Sequence, residues 1–333
     1  GMRVMFHMMN EARLGVGLQG LNHASGAYLY AVNYARERLQ GKDLMQMADP
    51  EAPEVPIINH PDVRRMLIWM KAYVDGMRSF VYYVASLFDR EELADSDEER
   101  DTVQGLIDLL TPLVKAYCTD VGYDVCVQAI QVYGGYGYTC DYPVEQLTRD
   151  AKIASIYEGT NGIQAMDLLG RKLGMKKGQV FMDFLGEIQK TIAEAKSIEA
   201  LSEMAGRVEE AVNRLGEVAM NIGKAAMSEK VKTAFAEAYP FLMVTGDVIM
   251  AWMHLWRAVA AAPKIEKLAG SLDDAARLEK AEKNKDAAFY DGQLRTAQYF
   301  IYSILPQTLG RMNAVQQSND APVQMSEKSF GGM

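Results

Sequence analysis

Apolar residues along the 333-residue chain recur mostly at steps of three and four, the spacing of one helix face, and nowhere in the two-residue alternation of a half-buried strand. The clearest run is Val208, Val212, Leu215, Ala219 and Ile222, one seam of a bundle helix. Phe289, Ala297, Phe300, Ile301 and Ile304 sketch another seam. Between them lies the strongly apolar stretch Pro240–Ala262, and before them a segment from about Gln179 to Ala195. Together these predict a second-half bundle of four helices over residues 175–310, with residues 311–333 as a flexible tail of low hydrophobicity.

The first half reads differently. From Met8 to about Leu39 there is no proline, which predicts one helix about 45–50 Å long. Gly15, Gly17, Gly20, Ser25 and Gly26 are poor helix formers, so close packing has to hold them there. The proline-bearing segment from Asp49 to Pro61 reads as a loop, and Pro61-Asp62 opens a helix to about Phe88. Asp89 to Asp101 reads as a solvated acidic connector without the glycine of a calcium loop. Thr111-Pro112 fits either a kink or an N-cap followed by proline, and helix then continues to Tyr133. Another short helix is expected from Pro143 to about Ala154. The fold class is all-α, with no strand and no repeat.

Composition narrows the class. A hydrophobic content of 49% with 24% charged residues suits a globular protein with a sizeable core. The net charge of −9 disfavours a nucleic-acid or anionic-membrane surface. Cys118, Cys126 and Cys140 form no CxxC pair and have no histidine at metal spacing, so neither a disulfide framework nor a metal site is expected. A reducing, cytoplasmic setting fits that usage. Asp247, His254 and Arg257 interrupt the one apolar stretch long enough to span a bilayer, which favours a buried helix. No signal peptide is expected, and Gly1 ahead of Met2 reads as a tag remnant. His7, His23, His60 and His254 stand alone and are assigned no role.

The chemistry concentrates in Ile153 to Gln164, I-A-S-I-Y-E-G-T-N-G-I-Q. Glu158 sits between the end of one helix and the start of the next. Gly159 lets backbone approach a ligand closely, and Thr160 can cap the following helix, whose free N–H groups suit an oxygen. Upstream runs a glycine-aromatic turn, Q-V-Y-G-G-Y-G-Y from Gln131 to Tyr138, and then P-V-E-Q-L-T-R-D-A-K-I from Pro143 to Ile153.

Taken in this order, Y-G-G-Y-G-Y, P-V-E-Q-L-T-R-D-A-K-I and I-Y-E-G-T-N-G-I-Q resemble the signature of the acyl-CoA dehydrogenases. The resemblance implies α,β-dehydrogenation of an acyl-CoA thioester with FAD as hydride acceptor. It implies that Glu158 is the base, and that its backbone N–H and a ribityl hydroxyl polarise the thioester carbonyl. A carboxylate beside a buried flavin and acyl chain gains basicity because burial disfavours its charge. Gln131, Gly134 and Gly135 match residues that touch the FAD of a neighbouring subunit, and Arg38 matches the arginine meeting its pyrophosphate across the same interface. Thr160, Asn161 and Gly162 match the segment flanking the flavin. Met8 to Arg13 matches the CoA-facing segment: Arg13 keeps the cation and Asn10 replaces the usual acid. Before Gly41, Leu39-Gln40 replace the family's aromatic, and one position is missing.

The resemblance covers about Met5 to Leu173, which gives residues 5–174 as the family's C-terminal helical domain. The extension after Gly174 resembles the longer bacterial members, among them dehydrogenases of 3-methylmercaptopropionyl-CoA. The family's N-terminal helical domain and middle β-domain have no counterpart in this sequence, so the chain alone is expected to be inactive and FAD-poor. An electron-transfer flavoprotein and a homodimer or dimer of dimers are the implied partners. Two other readings remain: a non-catalytic helical oligomerisation module, and an acyl-CoA oxidase-type enzyme.

Overall fold

The computed structural model describes residues 2–332, with side chains from Met8 onward. Gly1, Met333 and the side chain of His7 lie outside the described residues. Helix α1 spans Met2–Glu37, α2 Pro61–Glu92, α3 Asp97–Tyr133, α4 Pro143–Lys152 and α5 Asn161–Asp167. The second half follows with α6 Gln179–Lys196, α7 Ser202–Ala226, α8 Val231–Ala236 and α9 Ala238–Ala269. Then come α10 Asp274–Lys283, α11 Lys285–Tyr299 and α12 Leu305–Gln317, the last two joined through a π turn at Phe300–Ile304, and a short α13 Ala321–Gln324. The chain is 84% helical, so the all-α class holds.

The glycines of α1 separate into two kinds. A Cβ on Gly17 would lie 2.8 Å from the carbonyl oxygen of Val114, and one on Gly20 would lie 2.5 Å from that of Cys118. From the other side, a Cβ on Gly122 would lie 2.6 Å from the carbonyl oxygen of Gly20. Here α1 and α3 cross backbone to backbone, at a distance no side chain permits. Gly15 meets nothing within 4 Å, so packing within the chain does not explain it.

Two expectations are corrected. A small antiparallel pair, β1 Leu39–Lys42 with β2 Glu54–Pro56, stands where no strand was expected. Strands this short show no readable alternation; the lysine of β1 closes the intervening loop by donating from Nζ to the carbonyls of Asp49 and Pro50. The acidic run from Asp89 is mostly helix, because α2 reaches Glu92 and α3 begins at Asp97. Ser96 caps α3 by accepting from the Glu99 amide at 3.2 Å, and Asp97, Glu98 and Glu99 occupy the first turn, where the helix dipole favours negative charge. Of the two readings of Thr111-Pro112, the structure takes the one within a helix, since Pro112 lies inside α3.

The two halves share one hydrophobic cluster. Helix α9 runs through it, with Phe241, Met250, Trp252 and Leu255 buried. Its Asp247, only 2% exposed, accepts from Tyr117 Oη on α3 at 2.6 Å and from Thr308 Oγ1 on α12 at 2.7 Å, and it pairs with Arg311. That pair draws α12 into the core: Met312 and Val315 are buried, and packed helix runs to Gln317, beyond the boundary at residue 310 expected from hydrophobicity. Burial also lowers the His254 pKa to about 4, and its Nε2–H donates to the Ala72 carbonyl. Among the described residues, no helix is long and apolar enough to cross a membrane.

The helix crossing makes a direct prediction. Gly20→Ala forces Cβ onto a backbone carbonyl and is expected to cost about 1–3 kcal/mol. Gly15→Ala meets open space and is expected to be neutral or stabilising by up to ~1 kcal/mol. Urea denaturation of the two variants separates them, and equal midpoints would remove the argument for the close crossing.

Candidate active site

The loop between α4 and α5 turns on two left-handed residues, Glu158 at φ 54° and Gly159 at φ 84°. For a glutamate that conformation costs roughly 1–2 kcal/mol. Gly159 has no alternative, since a Cβ there would also lie 2.8 Å from Gln164 Nε2. Thr160 caps α5 by accepting from the Ile163 amide. Glu158 itself is exposed, so its carboxylate leaves the scaffold. Tyr157 ties the loop to α1 through a hydrogen bond from its hydroxyl to Gln19.

Beneath the loop lies a residue that the sequence reading missed. Lys115 of α3 is completely buried, and its Nζ donates at 2.8 Å both to the Gly159 carbonyl and to Asn161 Oδ1. Asn161 is buried as well. Its Nδ2 donates back to the Ala116 carbonyl at 3.2 Å and to Thr119 Oγ1 at 2.9 Å. Gln164 Nε2 approaches the Glu158 and Gly159 carbonyls at 3.4 Å. Burial lowers the Lys115 pKa to about 8, with Asp120 and Glu158 pulling it up and Arg13 pushing it down. Hydrogen bonds to a charged group contribute about 1.5–3 kcal/mol each, enough to offset the strained turn. The only sequence signal was one lysine inside the apolar run T-P-L-V-K-A-Y-C, which periodicity counts as a break in the pattern.

Asn10 and Arg13 lie at the same end of the helical layer. Asn10 Nδ2 donates to Asp108 of α3 at 3.1 Å, which occupies its amide, while the buried Nε of Arg13 has no hydrogen-bond partner among the described residues. Asn161 is likewise consumed internally, so only its backbone faces outward. A Cβ on Gly162 would come no closer than 3.9 Å to a neighbouring group, at Thr160 Oγ1.

The remaining residues gather elsewhere. Arg38, Gln131, Gly134 and Gly135 line one cleft of about 540 Å³, together with Tyr34, His60 and Tyr136. Lys115 and Gln131 lie sixteen positions apart on α3, which puts this cleft ~24 Å from the Glu158 loop. Stacked Tyr34 and Tyr133, with ring centroids 4.0 Å apart, hold the glycine turn against α1. Gly134 takes φ 62° to end α3, and a Cβ on either Gly134 or Gly135 would meet nothing within 4 Å, which leaves this backbone approachable. Arg38 lays its guanidinium 5.2 Å from the centre of the Tyr136 ring and has no ion-pair partner among the described residues. An unpaired cation beside exposed glycine backbone suits a phosphate-bearing ligand. No group of three or more His, Cys, Asp or Glu side chains among the described residues could hold a metal ion.

Comparison with known proteins gives the class. Residues 1–173 match the family described as "Acyl-CoA dehydrogenase, C-terminal domain", and residues 184–326 match "Acetyl-CoA dehydrogenase C-terminal like". The chain belongs to the acyl-CoA dehydrogenase family. It is 33% identical to a butyryl-CoA dehydrogenase of Syntrophomonas wolfei, over 99% of this chain and 51% of the relative. It is 34% identical to the 3-methylmercaptopropionyl-CoA dehydrogenase of Ruegeria pomeroyi, over 96% of this chain and 51% of that protein. An acyl-CoA dehydrogenase from Bacillus anthracis, solved in complex with FAD, shares the fold at a TM-score of 0.59 and 22% identity, over 96% of this chain and 54% of that one. The chain thus spans about half the length of the curated relatives it matches.

The strained turn carries its own test. Glu158→Gly removes the left-handed penalty and is expected to leave thermal stability unchanged or raised by up to about 1 kcal/mol, whatever it does to activity. A marked drop in the unfolding midpoint would mean that the glutamate side chain, rather than the turn beneath it, stabilises the loop.

Proposed function

We propose that this chain is the C-terminal part of an FAD-dependent acyl-CoA dehydrogenase, with Glu158 as the base that removes the α-proton of an acyl-CoA thioester. The observation that carries the reading is the exposed carboxylate of Glu158 on a left-handed turn braced from below; backbone strain of this kind clusters at functional sites. The α C–H beside a thioester is a weak acid, so it needs a positioned base together with donors at the carbonyl oxygen. Glu158 supplies the first, and its own backbone N–H is the nearest candidate for the second. Arg13, whose Nε has no hydrogen-bond partner among the described residues, and Asn10, through the part of its side chain not given to Asp108, are the proposed contacts of the CoA portion.

FAD, when bound, supplies the hydride acceptor for the β-position. The chain's residues fit the group in two places. Beyond Glu158, Thr160, Asn161 and Gly162 would flank one cofactor through backbone atoms, with Gly159 beside the substrate. The cleft of Arg38, Gln131, Gly134 and Gly135, ~24 Å away along α3, suits the phosphates of another, held across a two-fold interface. The expected partners are therefore a second copy of the chain and an electron-transfer flavoprotein. A purely structural assembly module would need neither an outward carboxylate nor an unpaired arginine beside bare glycine backbone.

Glu158 is open to water and the chain spans about half the length of its relatives, so the 333 residues alone are expected to be colourless and without turnover, yet self-associated. Flavin absorbance and light scattering check both; a stoichiometrically yellow, active preparation or a clean monomer would contradict them. At natural length, Glu158→Gln is expected to keep FAD and lose flavin reduction by acyl-CoA, because the amide preserves shape and removes the base. Bleaching of the flavin at the wild-type rate would refute the assignment.

A further inference from the structure

A lysine amine with no exposed surface is an unusual choice for a position that leucine or methionine would fill, since removing a charge from water is costly. Lys115 is held in that state by two acceptors, and both belong to the Glu158 loop: the carbonyl of Gly159 and the carboxamide oxygen of Asn161. The same turn of α3 takes the other end of that carboxamide, through the Ala116 carbonyl and the Thr119 hydroxyl. The loop backbone is thus bolted to one helical turn on both sides of Thr160. The turn itself cannot slide, because Val114 and Cys118, which flank Lys115, are the residues whose carbonyls meet Gly17 and Gly20 of α1.

We propose that Lys115 is a positioning residue for Glu158: its buried ammonium, bridging Gly159 and Asn161, locks the left-handed turn that aims the carboxylate outward. The proposal rests on the reading of Glu158 as the base, and adds to it a device that keeps that base in one place. Lys115 touches neither the carboxylate nor any surface open to a substrate, so its effect passes through the backbone. A neutral side chain of equal length fills the same volume, leaves Asn161 Oδ1 without a donor and leaves the Gly159 carbonyl only the 3.4 Å approach of Gln164 Nε2. The loop then samples other backbone conformations, and the reacting geometry is populated for only part of the time.

Lys115→Met tests this by hydrogen–deuterium exchange of the purified chain. Amides of residues 156–164 are expected to exchange on the order of tenfold faster, while α9 keeps its protection. Asn161→Ala, which removes one of the two acceptors and leaves the lysine, is expected to give a smaller increase confined to the same segment. It serves where Lys115→Met fails to fold. Unchanged exchange of residues 156–164 in either folded variant overturns the proposal. At natural length, Lys115→Met is expected to lower kcat by roughly a hundredfold with KM and FAD content nearly unchanged, as displacement of a reacting group does; a loss appearing only in KM also overturns it. The two readings fail separately. Faster loop exchange in Lys115→Met beside an active Glu158→Gln refutes the base and keeps the brace, whereas the opposite pair refutes the brace alone.

Discussion

Two helix backbones touch where α1 crosses α3, and the rest of the molecule is arranged around that contact. Gly17 and Gly20 on one side and Gly122 on the other present no Cβ to the crossing, so backbone carbonyls lie against their α-carbons, with a Val114 methyl beside Gly17. Side-chain packing tolerates small rearrangements, but a backbone contact does not. Slipping α1 by one turn would displace it by about 5.4 Å. Helix α1 carries Asn10 and Arg13 near one end and Arg38 just beyond the other, so its register against α3 sets both regions of the site at once.

The second half of the chain supports the same crossing from behind. Tyr117 lies two residues after Lys115, fully buried, with its ring pressed against Gly246 of α9, where a Cβ would come within 2.0 Å of it. Its hydroxyl reaches Asp247, a buried carboxylate tolerable only because Thr308 and Arg311 complete its coordination. One acid thus joins α3, α9 and α12. Trp252 of α9 adds a second polar link by donating from Nε1 to Thr191 of α6 at 2.8 Å. The α6–α12 bundle is therefore a buttress continuous with the core that positions Lys115, rather than a loosely tethered addition.

What was legible in the residues follows physical scale. Long helices announce themselves because one apolar face repeats many times; α7 and α9 lie within a few residues of where periodicity placed them. The β1–β2 pair is too short for any period to register, and prolines in its vicinity favoured the reading as a loop. The start of α3 was obscured because Ser96 with Asp97, Glu98 and Glu99 serves equally as a solvated acidic run and as a capped helix N-terminus. Only the course of the chain on either side distinguishes the two.

The candidate site divides along the same line. Glu158, Gly159 and the Gly134-Gly135 turn were singled out in the sequence because their signal is local: a carboxylate beside a glycine, a glycine pair at a helix end, each inside a recognisable string. Asn161 was found too, but as a neighbour of the cofactor, whereas its side chain is spent bracing the loop from within. Lys115 was invisible, since it stands far from the loop in sequence and its significance lies entirely in what it touches. By itself the sequence determined which segments become helices and which short strings can carry chemistry, because both depend on neighbours along the chain. The tertiary structure alone decided which buried donor meets which carbonyl, because those pairings are made through space between helices whose crossing points no one-dimensional pattern specifies.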